Sequence, residues 1–175
     1  MGHPDPVHET KDRSSCSYFV EGSVPVAQSL EILLVEDSPA DANLTMEALR
    51  DPRVSNRIHV VGDGVEALRF LRRHPPHAAA PRPDIILLDL NLPRMDGKEV
   101  LAEIKSDANL KDIPVIVLTC SGNPQDVEHV YRHQAAGYIT KHPELDRYFT
   151  AIKSLKELWF NFMTLPKKAA QQNTA

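Results

Sequence analysis

Three carboxylates at the ends of two apolar runs set the chemistry open to this chain. Asp89 closes the run Pro83-Asp84-Ile85-Ile86-Leu87-Leu88, which reads as a buried strand. A Pro/Gly loop, Asn91-Leu92-Pro93-Arg94-Met95-Asp96-Gly97, opens just beyond it. Glu36 and Asp37 close an earlier run of the same kind, Leu30-Glu31-Ile32-Leu33-Leu34-Val35. In open α/β sheets the reacting groups gather at the carboxyl edge of the strands. If both strands are central and parallel, the three acids converge on one small pocket. Like charges so close repel, unless a hard cation neutralises them or one acid takes up a proton.

The elements that must hold these acids follow from the pattern on either side. Leu30–Val35 predicts the first strand, and Ser38 or Asp37 caps a helix whose first turn suits Pro39. Arg57–Val61 predicts a second strand, closed by Gly62-Asp63-Gly64, and apolar spacing carries a second helix to about Arg73. Four prolines between His74 and Pro83 exclude helix and central strand, so that stretch is expected as a surface loop. Ile85–Asp89 is the third strand and Lys98–Ser106 the third helix. Pro114–Thr119 is the fourth strand, apolar almost throughout and so covered on both faces. Asn123-Pro124 opens the fourth helix, Gly137–Thr140 is the fifth strand, and Glu144–Phe162 the last helix. This alternation predicts an α/β fold, a five-stranded parallel sheet with helices on both faces.

Length and composition bound the rest. The 175 residues predict one domain, over 29–165, with a disordered tail at 1–28 and a loose end at 166–175. Tyr18-Phe19-Val20 is the one sticky spot in the first tail. A hydrophobic share of 42% can build a core, and a net charge of −4 offers no basic field for nucleic acid. Cys16 and Cys120 make no disulfide framework, as expected of a reduced, cytoplasmic protein. The apolar runs fall far short of the roughly 20 residues that cross a bilayer, and no secretory signal is evident.

In this order and spacing, Leu34-Val35-Glu36-Asp37-Ser38, Pro83–Pro93, Met95-Asp96-Gly97, Pro114–Thr119 and Gly137-Tyr138-Ile139-Thr140-Lys141 resemble the receiver domain of two-component response regulators. Asp37-Ser38-Pro39-Ala40-Asp41, the Pro-rich loop and Trp159 in the last helix resemble single-domain regulators that partner phytochrome photoreceptor kinases. The resemblance implies a flavodoxin-like (βα)5 doubly wound sheet of order 2-1-3-4-5. It implies that Asp89 accepts a phosphoryl group from a sensor histidine kinase. It gives Asp37 and Asp89 as Mg²⁺ carboxylates, Asn91 as a backbone carbonyl ligand, and Glu36 as a ligand through water. Thr119 and Lys141 are implied as partners of the phosphoryl oxygens, with Thr119 and Tyr138 as a coupled switch. Phosphoryl transfer asks mainly for positioning and charge neutralisation, which these residue types supply. Many members place proline directly after the lysine. Here Lys141-His142-Pro143 moves it one place on, which predicts a trans Lys141–His142 bond.

Other readings are weaker. A phosphatase or phosphotransferase using Asp89 commonly carries a second acid two residues on, and Asn91 stands there. A flavodoxin-type FMN binder wants a Ser/Thr/Gly-rich phosphate loop, and Glu36-Asp37-Ser38-Pro39 would repel a phosphate. His129 and His133 have metal-ligand spacing without a third ligand, so a solvated face is expected, and Cys120 is expected as a packing residue. With so few residues after the last helix, no DNA-binding module and no direct transcriptional control are expected. Apolar residues of that helix, among them Tyr148, Ile152, Leu155, Trp159 and Phe162, cover roughly twice the arc that docking on a sheet requires. A homodimer through the fourth helix, fifth strand and fifth helix is expected to bury the excess.

Overall fold

The computed structural model describes residues 29–50 and 56–158. The strands are β1 (Leu30–Val35), β2 (Asn56–Val61), β3 (Ile85–Asp89), β4 (Val115–Thr119) and β5 (Gly137–Thr140). The helices are α1 (Pro39–Leu49), α2 (Gly64–Leu71), α3 (Gly97–Ser106), α4 (Pro124–Arg132) and α5 (Leu145–Glu157). All neighbouring strands are parallel, in the order β2-β1-β3-β4-β5. This is the flavodoxin-like arrangement that the sequence implied.

Strand alternation divides the core. Ile86, Leu88, Val115 and Val117 turn to one face, against Phe70, Val100, Leu101 and Val130 of α2, α3 and α4. Ile85, Leu87, Ile116 and Leu118 turn to the other, against Ala48, Tyr148 and Ile152 of α1 and α5. With both faces covered, the central strands have no polar side to alternate with. Each fully buried Leu or Ile contributes about 1.5–3 kcal/mol.

Local signals start the helices. The Ser38 side chain accepts the Asp41 N–H ahead of Pro39 at the first turn, and Asp63 accepts the Glu66 N–H. Asp96 and Glu99 form a reciprocal capping box on α3, and Asn123 caps α4 ahead of Pro124. The C-terminus of α2 differs from expectation. The helix stops at Leu71, and Arg73 takes a left-handed φ of 55°. The His74 N–H then donates to the Arg69 carbonyl and the Arg73 N–H to that of Phe70, a Schellman closure without the usual glycine.

The expectation for Tyr148 and Ile152 is overturned. They are 4% and 0% exposed, and they form the stripe that seats α5 on the sheet, so neither is free to meet a second copy. The Tyr148 hydroxyl shares a hydrogen bond with Thr45 Oγ1 of α1 at 2.7 Å. An apolar arc wider than docking needs does not reveal which part of it faces inward. Leu155 is half-buried against the same core layer, while Trp159 and Phe162 lie outside the described residues.

Gly97 lets α3 start against the end of β3. A Cβ there would sit 2.1 Å from the Asp89 carbonyl oxygen and 2.6 Å from Leu90 Cα. Both obstacles are backbone, so the helix or the strand end has to move. Gly97→Ala is expected to lose about 1–3 kcal/mol, read as a lower urea midpoint. An unchanged midpoint would show that the close approach is dispensable.

Candidate functional site

The register brings the strand ends level. Val35 lies beside Leu88, Asp89 beside Leu118, and Thr119 beside Thr140. The residues that follow therefore meet at one rim. Glu36, at 3% exposure, donates its N–H to the Val61 carbonyl, and its Oε1 accepts the Ser38 N–H. Asp89 is 6% exposed, and its Oδ1 accepts the Asn91 N–H at 3.1 Å, which curls the loop back over the strand end. Asp37 and Asn91 are exposed. Glu36, Asp37 and Asp89 each place one oxygen within 4.8 Å of the others.

Lys141 enters this pocket from β5. Its N–H donates to the Thr119 carbonyl at 2.7 Å, and its ammonium is buried among acids. Nζ donates to Glu36 Oε2 at 2.5 Å, Asp89 Oδ2 at 2.7 Å and Asp41 Oδ2 at 3.1 Å. The sole cis peptide bond among the described residues is Pro75–Pro76, so Lys141–His142 is trans. Carboxylates thus direct the ammonium where the sequence lacks an adjacent proline.

Burial alone would lower the Lys141 pKa, but hydrogen bonds and charge from Asp89 and Glu36 outweigh it and hold it well above the usual lysine range. For Glu36, burial pushes the carboxyl up against the pull of Lys141, and the Asp89 charge adds to the push. One ammonium is thus shared by three acids, Glu36, Asp41 and Asp89, and Asp37 converges with two of them.

Thr119 is fully buried, and its Oγ1 accepts the Ser121 N–H at 3.2 Å. The loop after β4 is tied down from three directions. Ser121 Oγ donates to Asp126 Oδ2 at 2.5 Å, Lys98 Nζ donates to Asp126 Oδ1 at 2.6 Å, and the Tyr138 hydroxyl donates to the Ser121 carbonyl at 2.6 Å. The Lys98 hydrogen bond holds the Asp126 carboxyl below the usual range. Tyr138 is half-buried against the α2–α3–α4 side of the core.

Sequence reasoning missed Asp41 as a partner of Lys141. The available signal was its spacing, four residues beyond Asp37 and in the first turn of a helix. Nothing local could have paired Lys98 with Asp126. The His129 and His133 rings stack at 4.2 Å, with His133 Nδ1 on the His129 carbonyl, and both are partly buried. Cys120 is exposed, contrary to the packing role expected of it, because it follows the strand end into the loop.

A doubly wound sheet carrying buried acids and a lysine at its carboxyl rim defines a class, and comparison with known families agrees. The model of the response regulator receiver domain matches residues 32–153, and the chain belongs to that family of signalling proteins. It is 44% identical over 135 residues to response regulator Rcp1 of Synechocystis sp., spanning 77% of this chain and 92% of the relative. The phosphorylated cyanobacterial phytochrome response regulator RcpA superposes with a TM-score of 0.77 at 48% identity, covering 79% of this chain and 99% of that one. The Mn²⁺-bound form of Rcp1 gives 0.76 at 43% identity, with the same coverage. Among the described residues, no helix is long and apolar enough to cross a membrane.

Proposed function

We propose that this chain is a stand-alone receiver that accepts a phosphoryl group on Asp89 from the phosphohistidine of a sensor histidine kinase. The observation that carries this reading is the convergence of Glu36, Asp37 and Asp89 within 4.8 Å, with Lys141 bonded to Asp89. These donors are carboxylate oxygens, the ligands that hard divalent cations take, and Mg²⁺ is the expected ion. Asp37 and Asp89 would hold it with the Asn91 carbonyl, and Glu36 through water. The ion supplies neutralisation of the entering phosphoryl charge.

The remaining chemistry belongs to the chain. An Asp89 carboxylate oxygen attacks phosphorus, the bond to the kinase histidine nitrogen breaks, and its electron pair returns to the imidazole. Lys141 passes from a carboxylate to a phosphoryl oxygen, a charge-assisted bond of the same kind. Thr119 turns its hydroxyl to the phosphoryl group and releases the Ser121 N–H. That frees the loop whose carbonyl holds Tyr138, and the α4–β5 face changes. Self-catalysed loss of the phosphate follows at the same carboxyl.

The likeness to RcpA supports a phytochrome-linked kinase as the donor. Pairing with a second copy is supported by exposed Leu145 on α5, Leu158 at its C-cap and Tyr131 on α4. Sedimentation at tens of micromolar is expected to show a dimer, and a monomer there ends that part of the reading. The exposed free Cys120 fits a reducing cytoplasm. The central test is intact mass after acetyl phosphate and Mg²⁺. One labile phosphoryl group is expected, and none once a chelator is added. An unchanged mass without chelator removes the proposal.

A further inference from the structure

We propose that Asp41 is a positioning residue that draws Lys141 away from Asp89 when a divalent cation enters the acidic pocket. This inference rests on the metal reading above. In the structure, Lys141 divides its three N–H groups among Glu36, Asp89 and Asp41. Two of these acids also belong to the convergent metal-type cluster with Asp37, and Asp41 does not. Cation and ammonium therefore compete for Glu36 and Asp89, and repel each other across them. Asp41 is the one lysine partner outside that competition.

Its placement suits the task. Asp41 is anchored in the first turn of α1, where its N–H donates to Ser38 Oγ at 3.3 Å. Its carbonyl accepts Thr45 Oγ1 at 2.9 Å, and that hydroxyl also meets the buried Tyr148 hydroxyl of α5. Backbone and helix are thus fixed from two sides. The Asp41 side chain is 37% exposed and lies at the mouth of the pocket. Its bond to Lys141 is the longest of the three, as expected of a site that fills when the other two weaken. Transfer of the ammonium to Asp41 uncovers Asp89 Oδ2, the oxygen that Lys141 otherwise caps.

The test is a Mn²⁺ titration of the full chain, read by electron paramagnetic resonance of the free ion. Four proteins are compared: the unaltered chain, Asp41→Asn, Lys141→Gln, and the double variant. Asp41→Asn is expected to weaken Mn²⁺ binding about five-fold or more, because Lys141 then stays on Glu36 and Asp89. Lys141→Gln tightens binding, and adding Asp41→Asn to it changes affinity by less than about two-fold. An equal loss in both backgrounds means a through-space charge effect and overturns the proposal, as does no loss in Asp41→Asn. A second reading needs no lysine variant. The Lys141 ¹³Cε resonance is expected to move on Mg²⁺ addition in the unaltered chain and to stay in place in Asp41→Asn; identical movement in both overturns the proposal. No Mn²⁺ binding by the unaltered chain would sink the metal reading itself.

Discussion

An Asp89→Asn chain incubated with acetyl phosphate and Mg²⁺ gains no phosphoryl mass, while the unaltered chain gains one group that is lost on mild base treatment. The loss is expected to be complete. An amide oxygen is a poor nucleophile, and Asn cannot form the acyl phosphate. The variant is expected to fold, because Lys141 keeps Glu36 and Asp41 as acceptors and the Asn side-chain oxygen can still accept the Asn91 N–H. That separation makes the result decisive. A folded Asp89→Asn chain that still takes up phosphate would move the acceptor elsewhere, and exposed Asp37 would be the next carboxylate to substitute.

Lys141→Met has the largest expected effect on stability. Glu36 and Asp89 would stay buried, each having lost its 2.5–2.7 Å ammonium partner. Removing one side of a buried ion pair costs about 3–5 kcal/mol, a large part of the roughly 5–15 kcal/mol that holds a domain folded. The urea midpoint at neutral pH is therefore expected to fall sharply.

The sign of the pH response follows from Glu36, whose folded carboxyl already sits above its ordinary value of 4.5 through burial. A carboxyl with a raised folded pKa binds its proton more tightly in the native state. Its contribution is full below the unfolded value and lost as pH rises through the folded one. Without Lys141 that pKa rises further, so Lys141→Met should regain stability on acidification from neutral toward 4.5. The lysine follows the same sign in a far more alkaline window. Its raised folded pKa gives stability that is complete at neutral pH and lost only in strong alkali. Mg²⁺ should also rescue the variant, by about 2.7 kcal/mol at a hundred-fold excess over Kd. A midpoint indifferent to pH and Mg²⁺ would mean that these acids are not left unpaired.

Much of the architecture was legible in the chain, because its signals are local. Ile85–Leu88 and Val115–Leu118 are apolar without alternation, and only a strand covered on both faces needs that. Ser38-Pro39, Asp96 with Glu99, and Asn123-Pro124 start helices within four residues of themselves. The end of α2 was not legible, since Arg73 takes a conformation that usually announces itself with glycine. Tyr148 and Ile152 misled for a related reason. Helical spacing shows that residues share a face, and the packing of α5 against α1 and the sheet chooses which face turns inward.

The candidate site divides the same way. By itself, the sequence determined which acids stand at strand ends, because apolar runs and turn residues mark those ends over a few positions. Only the tertiary structure decided what they touch. Lys141 meets Asp89, Asp41 and Glu36 across 52, 100 and 105 residues, and Lys98 meets Asp126 across 28. Those encounters depend on the path of each crossover and on rotamers selected inside a closed core, where burial makes a pairing strong and an unpaired charge costly. A linear pattern carries no record of that choice, and so the three-way hold on Lys141 became visible only in the folded chain.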